Sequence, residues 1–242
     1  MSYLFHTLIS NPFYNGFIFL MDLLPGLDAG IIIVIFTIIV KFILLPLSIR
    51  ASKSQLQMKG AEKDLNDIKE KYKNNKEEQS KKTIDYYREK GINPFSGILI
   101  LIIQLPILIG LYRVFLKSGL PEINTSLLYS FVKVPDAVNM MFLNLISISD
   151  KSLVLAIFAG ITAYFQISIA NSLQAPLAEG QTQNDIARVM ATQMKYFFPL
   201  LIGFISYTIS SAVAIYIITS NIFAIFQEIY IKRKYHRTTI VV

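Results

Sequence analysis

Five stretches of this chain, near 30–49, 97–116, 152–170, 194–210 and 212–231, are apolar over bilayer-crossing lengths, for which about 20 residues is the norm and about 17 the lower limit. They predict an all-α integral membrane protein with five transmembrane helices. The last two are separated only by Ser206-Tyr207-Thr208-Ile209-Ser210-Ser211, which reads as a tight hairpin. The third and fourth are short, so they call for upright helices or a locally thinned bilayer. Between the first two spans, segment 50–92 is charged and free of proline, with Leu65, Ile68, Tyr72, Ile84 and Tyr87 at helical spacing on both sides of Asn74-Asn75. That pattern predicts two helices folded back as an antiparallel hairpin, its seam narrow and weakly held. Gly91 and Asn93-Pro94 then end the second helix and redirect the chain.

Residues 1–29 mix His6, Asn11, Pro12, Asn15, Asp22 and Asp28 with aliphatic and aromatic side chains. The mixture suits a segment lying in the membrane interface, with a sixth span as the alternative. Residues 117–151 form a sizeable outer connection, apolar enough at Leu127-Leu128-Tyr129 and Met140-Met141-Phe142-Leu143 to rest on the outer leaflet. Residues 171–193 are a loop rich in Gln, Asn and Thr, and 232–242 are a basic tail.

Within the first apolar run, Ile31 to Leu47, stands a single cation, Lys41. A Lys at the centre of a membrane helix costs about 2.5–3.5 kcal/mol on insertion scales, so it either faces a polar cavity or reaches for the interface. Arg50 lies nine residues further on, roughly 13 Å at 1.5 Å per residue, and a Lys stem covers only part of that. The cavity is the stronger reading. Thr37 one turn before and Ser48 two turns after extend a polar stripe on the same face. Elsewhere Gln104 precedes Pro106 in the second span, Thr162 and Gln166 share a face of the third, and Tyr216, Thr219, Ser220 and Gln227 run along the last. Taken singly, Thr162, Thr219 and Ser220 are more simply helix–helix hydrogen-bonding groups. Glu228, within a turn of Lys232, reads as an interfacial ion-pair residue. Pro46, Pro106 and Pro199 each remove a helix hydrogen bond and can bend their spans.

Composition supports the membrane reading and narrows the chemistry. With 53% hydrophobic residues, 16% charged and a mean hydropathy of +0.50, the chain is too apolar for a soluble domain. The net charge of +7 sits in loops, where it orients the chain before it marks any nucleic-acid site. Segment 50–92 holds twelve Lys and Arg, residues 1–29 none and 117–151 three, so the N-terminus is placed outside and the C-terminus inside. Cysteine is absent and the two histidines, His6 and His236, stand at opposite ends, which argues against thiol chemistry, metal ligation and a histidine dyad. Phosphate loops, H-E-x-x-H, G-x-S-x-G and paired embedded carboxylates are all missing. The expectation is a protein that is not an enzyme and takes no cofactor.

Four stretches resemble the YidC/Oxa/Alb family of membrane protein insertases. The first span reads Phe36-Thr37-Ile38-Ile39-Val40-Lys41-Phe42-Ile43-Leu44-Leu45-Pro46-Leu47, similar to the family's basic residue five positions before a Pro-Leu pair. Gly91-Ile92-Asn93-Pro94 followed by Ile103-Gln104-Leu105-Pro106-Ile107 and Tyr112 is similar to the family's second signature. Phe142-Leu143 with Ile157-Phe158-Ala159-Gly160, and Ala214-Ile215-Tyr216 with Thr219-Ser220-Asn221-Ile222-Phe223, resemble its third and last core spans. The likeness covers roughly 30–232 in order and spacing. It implies a five-helix core around a hydrophilic groove, closed toward the outside and open to the cytoplasm and the lipid. The role of groove cation falls on Lys41, with Thr37, Gln104 and Tyr216 beside it and Gln166 and Ser220 as further groove candidates. Many bacterial members carry Arg where this chain has Lys, which keeps the charge but loses the planar fork of donors.

The resemblance implies an energy-independent insertase of the bacterial plasma (inner) membrane. Nascent membrane proteins are the implied clients, with the ribosome and the Sec translocon meeting segments 50–92 and 232–242, and without sequence-specific nucleic-acid binding. A water-holding groove shortens the apolar path of a polar tail, a buried cation attracts acidic residues in it, and the client's apolar segment slides along spans one and five into lipid. The rivals are a small solute transporter or channel with a polar-lined path, and a scaffold that binds membrane proteins without moving them.

Overall fold

The computed structural model describes residue 7 and residues 10–93, 109–110, 122–171 and 182–235. Its helices are α1 (Asn11–Leu23), α2 (Ala29–Gly60), α3 (Glu62–Lys71), α4 (Lys76–Glu89), α5 (Leu153–Asn171), α6 (Thr182–Ile209) and α7 (Ser211–Tyr235). A small antiparallel ribbon, β1 (Met141–Phe142) and β2 (Ile146–Ser147), is added to the predicted all-α chain, with Met141 opposite Ser147 and Phe142 opposite Ile146. Among the described residues, Ala29–Met58, Leu153–Ala170 and Ser211–Lys234 are long and apolar enough to cross a membrane, and the apolar part of α6, Lys195–Ile209, is shorter. The predicted second span lies outside the described residues except Ile109 and Gly110, where Gly110 sits against the Phe13 ring of α1.

Helix α2 runs from the first span straight into the hairpin, so the predicted boundary at 49/50 is a change of chemistry and not of conformation. No Gly or Pro occurs between Leu47 and Lys59, and Arg, Lys and Gln propagate helix well. Beyond Gly60, α3 and α4 flank a turn at 72–75, as the pattern predicts. Asn75 caps α4 by accepting the Glu78 N–H at 3.1 Å, and Gly91 ends the arm with a left-handed φ of 63°. The seam buries Ala61, Leu65 and Ile92 beneath Met58, Tyr86 and Tyr87. Ile84, expected in that seam, is exposed. Tyr86 takes its place, because its hydroxyl donates to Asp64 across the hairpin at 2.7 Å. At the base, the Ser54 hydroxyl donates to the Asn93 carbonyl at 3.0 Å and accepts the Asn93 N–H at 3.1 Å.

In the bundle, α7 is the central post: α2 packs on one flank, α5 on another, and α6 packs on α5. Helices α2 and α7 run side by side in the same direction, their register set by an edge-to-face contact of Phe42 and Phe223 at 5.3 Å and by Gln227 donating to Ser48 at 2.7 Å. The α6–α7 break is tighter than the predicted six-residue hairpin. Helix continues to Ile209 and resumes at Ser211, leaving Ser210 alone between them.

The connection described from 122 to 150 packs onto the helices. It folds over the helix starts, because these present backbone N–H groups that no earlier turn satisfies. Asp28 caps α2 through Oδ1, which accepts the Ile31 N–H at 2.8 Å, while Oδ2 accepts the Leu143 N–H at 2.7 Å. The left-handed φ values of Leu143 (53°) and Asn144 (56°) turn the ribbon toward that carboxylate. Gly30 makes room for it, since a Cβ there would lie 2.5 Å from the Phe142 side chain. Ser211 and Ala212 at the start of α7 donate to the carbonyls of Asp150 (2.8 Å) and Ile148 (2.9 Å). From α1, the Asn15 amide donates to the Leu127 carbonyl at 2.9 Å and accepts the Tyr129 N–H at 2.6 Å. The main core gathers here, around Phe17, Ile18, Ile32, Ile33, Phe36, Ile148 and Ile215.

Candidate substrate groove

Burial along α2 changes abruptly one turn before the cation. Ala29, Ile32, Ile33, Phe36 and Thr37 are buried, and no residue from 38 to 50 is. Lys41 therefore stands just past the dense outer core, half-buried, twelve residues or about 18 Å along the axis from Ala29.

The predicted site residues divide into three groups. Thr37, Tyr216 and Ser220 lie inside the α2–α7 part of the bundle, at 2%, 1% and 3% exposure. Their polar atoms are bonded locally: the Thr37 hydroxyl donates to the Ile33 carbonyl at 2.7 Å, and Tyr216 and Ser220, one turn apart on α7, share a side-chain hydrogen bond. Tyr216 packs in the same core as Phe36 and Val40, so it is part of the packed interior rather than an open wall. Ser48, two turns past Lys41, holds Gln227 and closes the stripe against α7.

Gln166 is placed elsewhere. It lies on the α5–α7 seam and donates to Glu228 Oε1 at 3.5 Å. Two turns outward, Asn221 donates to the Thr162 hydroxyl at 3.2 Å, and that hydroxyl donates back to its own helix at Phe158. Thr162 thus fills the helix–helix bonding role that its position alone suggests, and Thr219, back-bonded to Ile215 at 2.8 Å, satisfies itself within α7. Gln104, the remaining site candidate, lies outside the described residues.

Glu228 corrects the sequence reading. Expected at the interface as an ion-pair residue, it is buried, with Oε1 on Gln166 and Oε2 without a hydrogen-bond partner among the described residues. Its burial follows from α5 covering that face of α7. A sequence signal exists: Glu228 is seven residues after Asn221, and their partners Gln166 and Thr162 are four apart, so both pairs fall on single helix faces. Among the described residues, no cluster of three or more acidic or histidine side chains could hold a metal ion.

Among the described residues, the arrangement places Lys41 between a closed apolar end of α2 and a less buried, partly polar stretch of it. A family model described as "60Kd inner membrane protein" matches residues 20–238. The chain is 33% identical over 205 residues to a protein of Fusobacterium nucleatum named "Membrane protein insertase YidC", covering 85% of this chain and 86% of that one. A protein of the same name from Clostridium perfringens is 29% identical over 219 residues, covering 90% and 84%. Another, from Chlorobaculum tepidum, is 29% identical over 201 residues that make up only 32% of its length.

Proposed function

The chain belongs to the 60Kd inner membrane protein family, the YidC/Oxa/Alb group its sequence resembles, and from that premise we propose that it is a membrane protein insertase. It is a multi-pass protein of the bacterial inner membrane. Its clients are nascent membrane proteins with short polar tails, which enter from the cytoplasmic end and leave sideways into lipid. Five spans, N-terminus outside and C-terminus inside, put the α3–α4 hairpin and the basic tail on the cytoplasmic side, where ribosome and Sec translocon would meet them.

The observation that carries this reading is the abrupt change on α2: packed through Thr37, without a buried residue from 38 to 50, and with Lys41 just past the boundary. A polar tail drawn into such a half-open bundle has about half the hydrocarbon left to cross. The cation offsets part of the cost of an acidic side chain at that depth. The client's own apolar segment then supplies the driving force as it transfers to lipid, at about 25 cal/mol per Å². No nucleotide is consumed.

Reconstitution in liposomes with a short single-span client, scored by protease protection of its tail, tests the proposal. Wild-type protein should protect the tail without added energy, and Lys41→Glu should protect acidic tails far less than uncharged ones. Failure of the wild-type protein to translocate any tail would refute insertion. Equal effects of Lys41→Glu on both tails would refute electrostatic attraction.

A further inference from the structure

On the side of the bundle away from Lys41, α5 and α6 cross closely at Gly160 and Gly203. A Cβ on Gly160 would lie 3.2 Å from the Pro199 carbonyl, and one on Gly203 3.2 Å from the Ala156 carbonyl. With the backbones this near, the flanking side chains stand as two walls. Ile157, Ile161 and Phe165 from α5 and Leu200, Phe204 and Tyr207 from α6 enclose an open groove of about 720 Å³. The walls are apolar, and among the described residues no acidic side chain lines them.

One end of this groove carries a built cation. The rings of Tyr164 and Tyr196 lie 5.9 Å apart, and the Lys195 ammonium sits 5.7 Å from the centroid of each. Two aromatic faces hold the charge at the groove mouth at about 0.5–1 kcal/mol each for exposed cation–π contacts. This is the basic end of the bundle, where α7 ends in Lys232, Arg233 and Lys234. From Tyr196 to Tyr207 the groove follows eleven residues of α6, about 16 Å, which matches one leaflet's share of a hydrocarbon core about 30 Å thick.

We propose that this groove binds one anionic phospholipid of the inner leaflet, an acyl chain lying along the Gly160–Gly203 crossing and the phosphate against Lys195. The dimensions favour a lipid over a client helix. A spanning helix about 30 Å long and 10 Å across fills about 2400 Å³, some three times the groove. The charge favours an anionic headgroup, since a cation pinned beside a slot whose described lining is apolar complements phosphate and gains nothing from a zwitterion's opposing ammonium.

The chain contains no tryptophan, so Leu200→Trp places a single reporter on the groove wall. In vesicles of phosphatidylcholine, acyl-brominated phosphatidylglycerol should quench it with about fivefold higher apparent affinity than acyl-brominated phosphatidylcholine, as expected for one basic side chain. Adding Lys195→Gln should abolish the preference, and Lys195→Arg should keep it, which separates loss of charge from loss of fold. A reporter at Phe226→Trp, exposed on α7 outside the groove, should show little preference. Equal preference at both reporters, or a preference that survives Lys195→Gln, would overturn the site. So would quenching by both lipids that is displaced alike by an apolar single-span peptide, which would assign the groove to a helix.

Discussion

The two flanks of α7 use polarity in opposite ways. Toward α2 the ionisable group is a cation, Lys41, half-buried where packing thins out, while the neighbouring polar atoms of Thr37, Tyr216 and Ser220 are bonded within their own helices. Toward α5 it is an acid, Glu228, buried and bonded across the interface to Gln166, with Asn221 and Thr162 repeating the pattern further out. One flank carries a half-buried cation, and the other spends its polar groups on joining two helices. Lipid makes both choices legible: an apolar helix gains little from leaving lipid for another helix, so interhelical hydrogen bonds and close packing hold the α5–α7 side. The α2 side has the outer core and Ser48–Gln227 to hold its ends.

The strongest way to break this contrast is charge reversal on the open flank. A unit pair about 10 Å apart at an effective dielectric of about 20 is worth about 1.7 kcal/mol, so Lys41→Glu should cut insertion of acidic-tailed clients more than tenfold. Protease protection in liposomes reads this, and the variant's melting temperature should change little. Glu228→Gln should do the reverse, leaving insertion within about twofold because an amide can still pair with Gln166.

On the closed flank, Gln166→Leu removes the amide from a buried carboxyl and should cost about 1–3 kcal/mol, read by thermal unfolding in detergent. Combining it with Glu228→Leu should recover most of that loss, since two apolar groups leave nothing unsatisfied. A purely additive double mutant would show that the two side chains do not act together. Ser48→Ala, which severs the single side-chain bond from α2 to Gln227, should cost about 1 kcal/mol by the same measurement.

The smallest effect belongs to the hairpin, which neither flank controls. Burial, then the hydrogen bond and charge of Asp64 together with Glu89, push the Tyr86 phenol up to about 12. Its folded value lies above its ordinary value near 10, so the contribution to hairpin docking is fully present below pH 10 and is lost as pH rises through 12. Ultraviolet difference titration should show one late-ionising tyrosine fewer in Tyr86→Phe than in the wild-type protein. Protection of the Leu65 amide, corrected for the intrinsic pH dependence of exchange, should fall over the same interval in the wild-type protein and not in the variant.

Much of the local structure could be read along the chain. The lengths of the apolar runs located α2, α5 and α7, and the Asn74-Asn75 signal and Gly91 bounded the hairpin arms where the structure has them. The identity of Lys41 as the one cation in its run, and its stripe with Thr37 and Ser48, also follows from spacing alone. Ile84 and Tyr86 show where such reading fails. Both could serve the seam, and the hydrogen bond to Asp64 chose the tyrosine.

What only the tertiary structure decided is which face of each span meets protein. A helix that is apolar all round satisfies lipid and neighbours equally, so periodicity cannot orient it about its axis. Rotation is fixed instead by discrete contacts: glycine against carbonyl at Gly160 and Gly203, Asp28 reaching Leu143, Gln227 to Ser48 and Gln166 to Glu228. The chain's chemistry set how many residues lie in the hydrocarbon and which of them carry charge. Packing alone decided that the acid is enclosed and the cation is only half-buried.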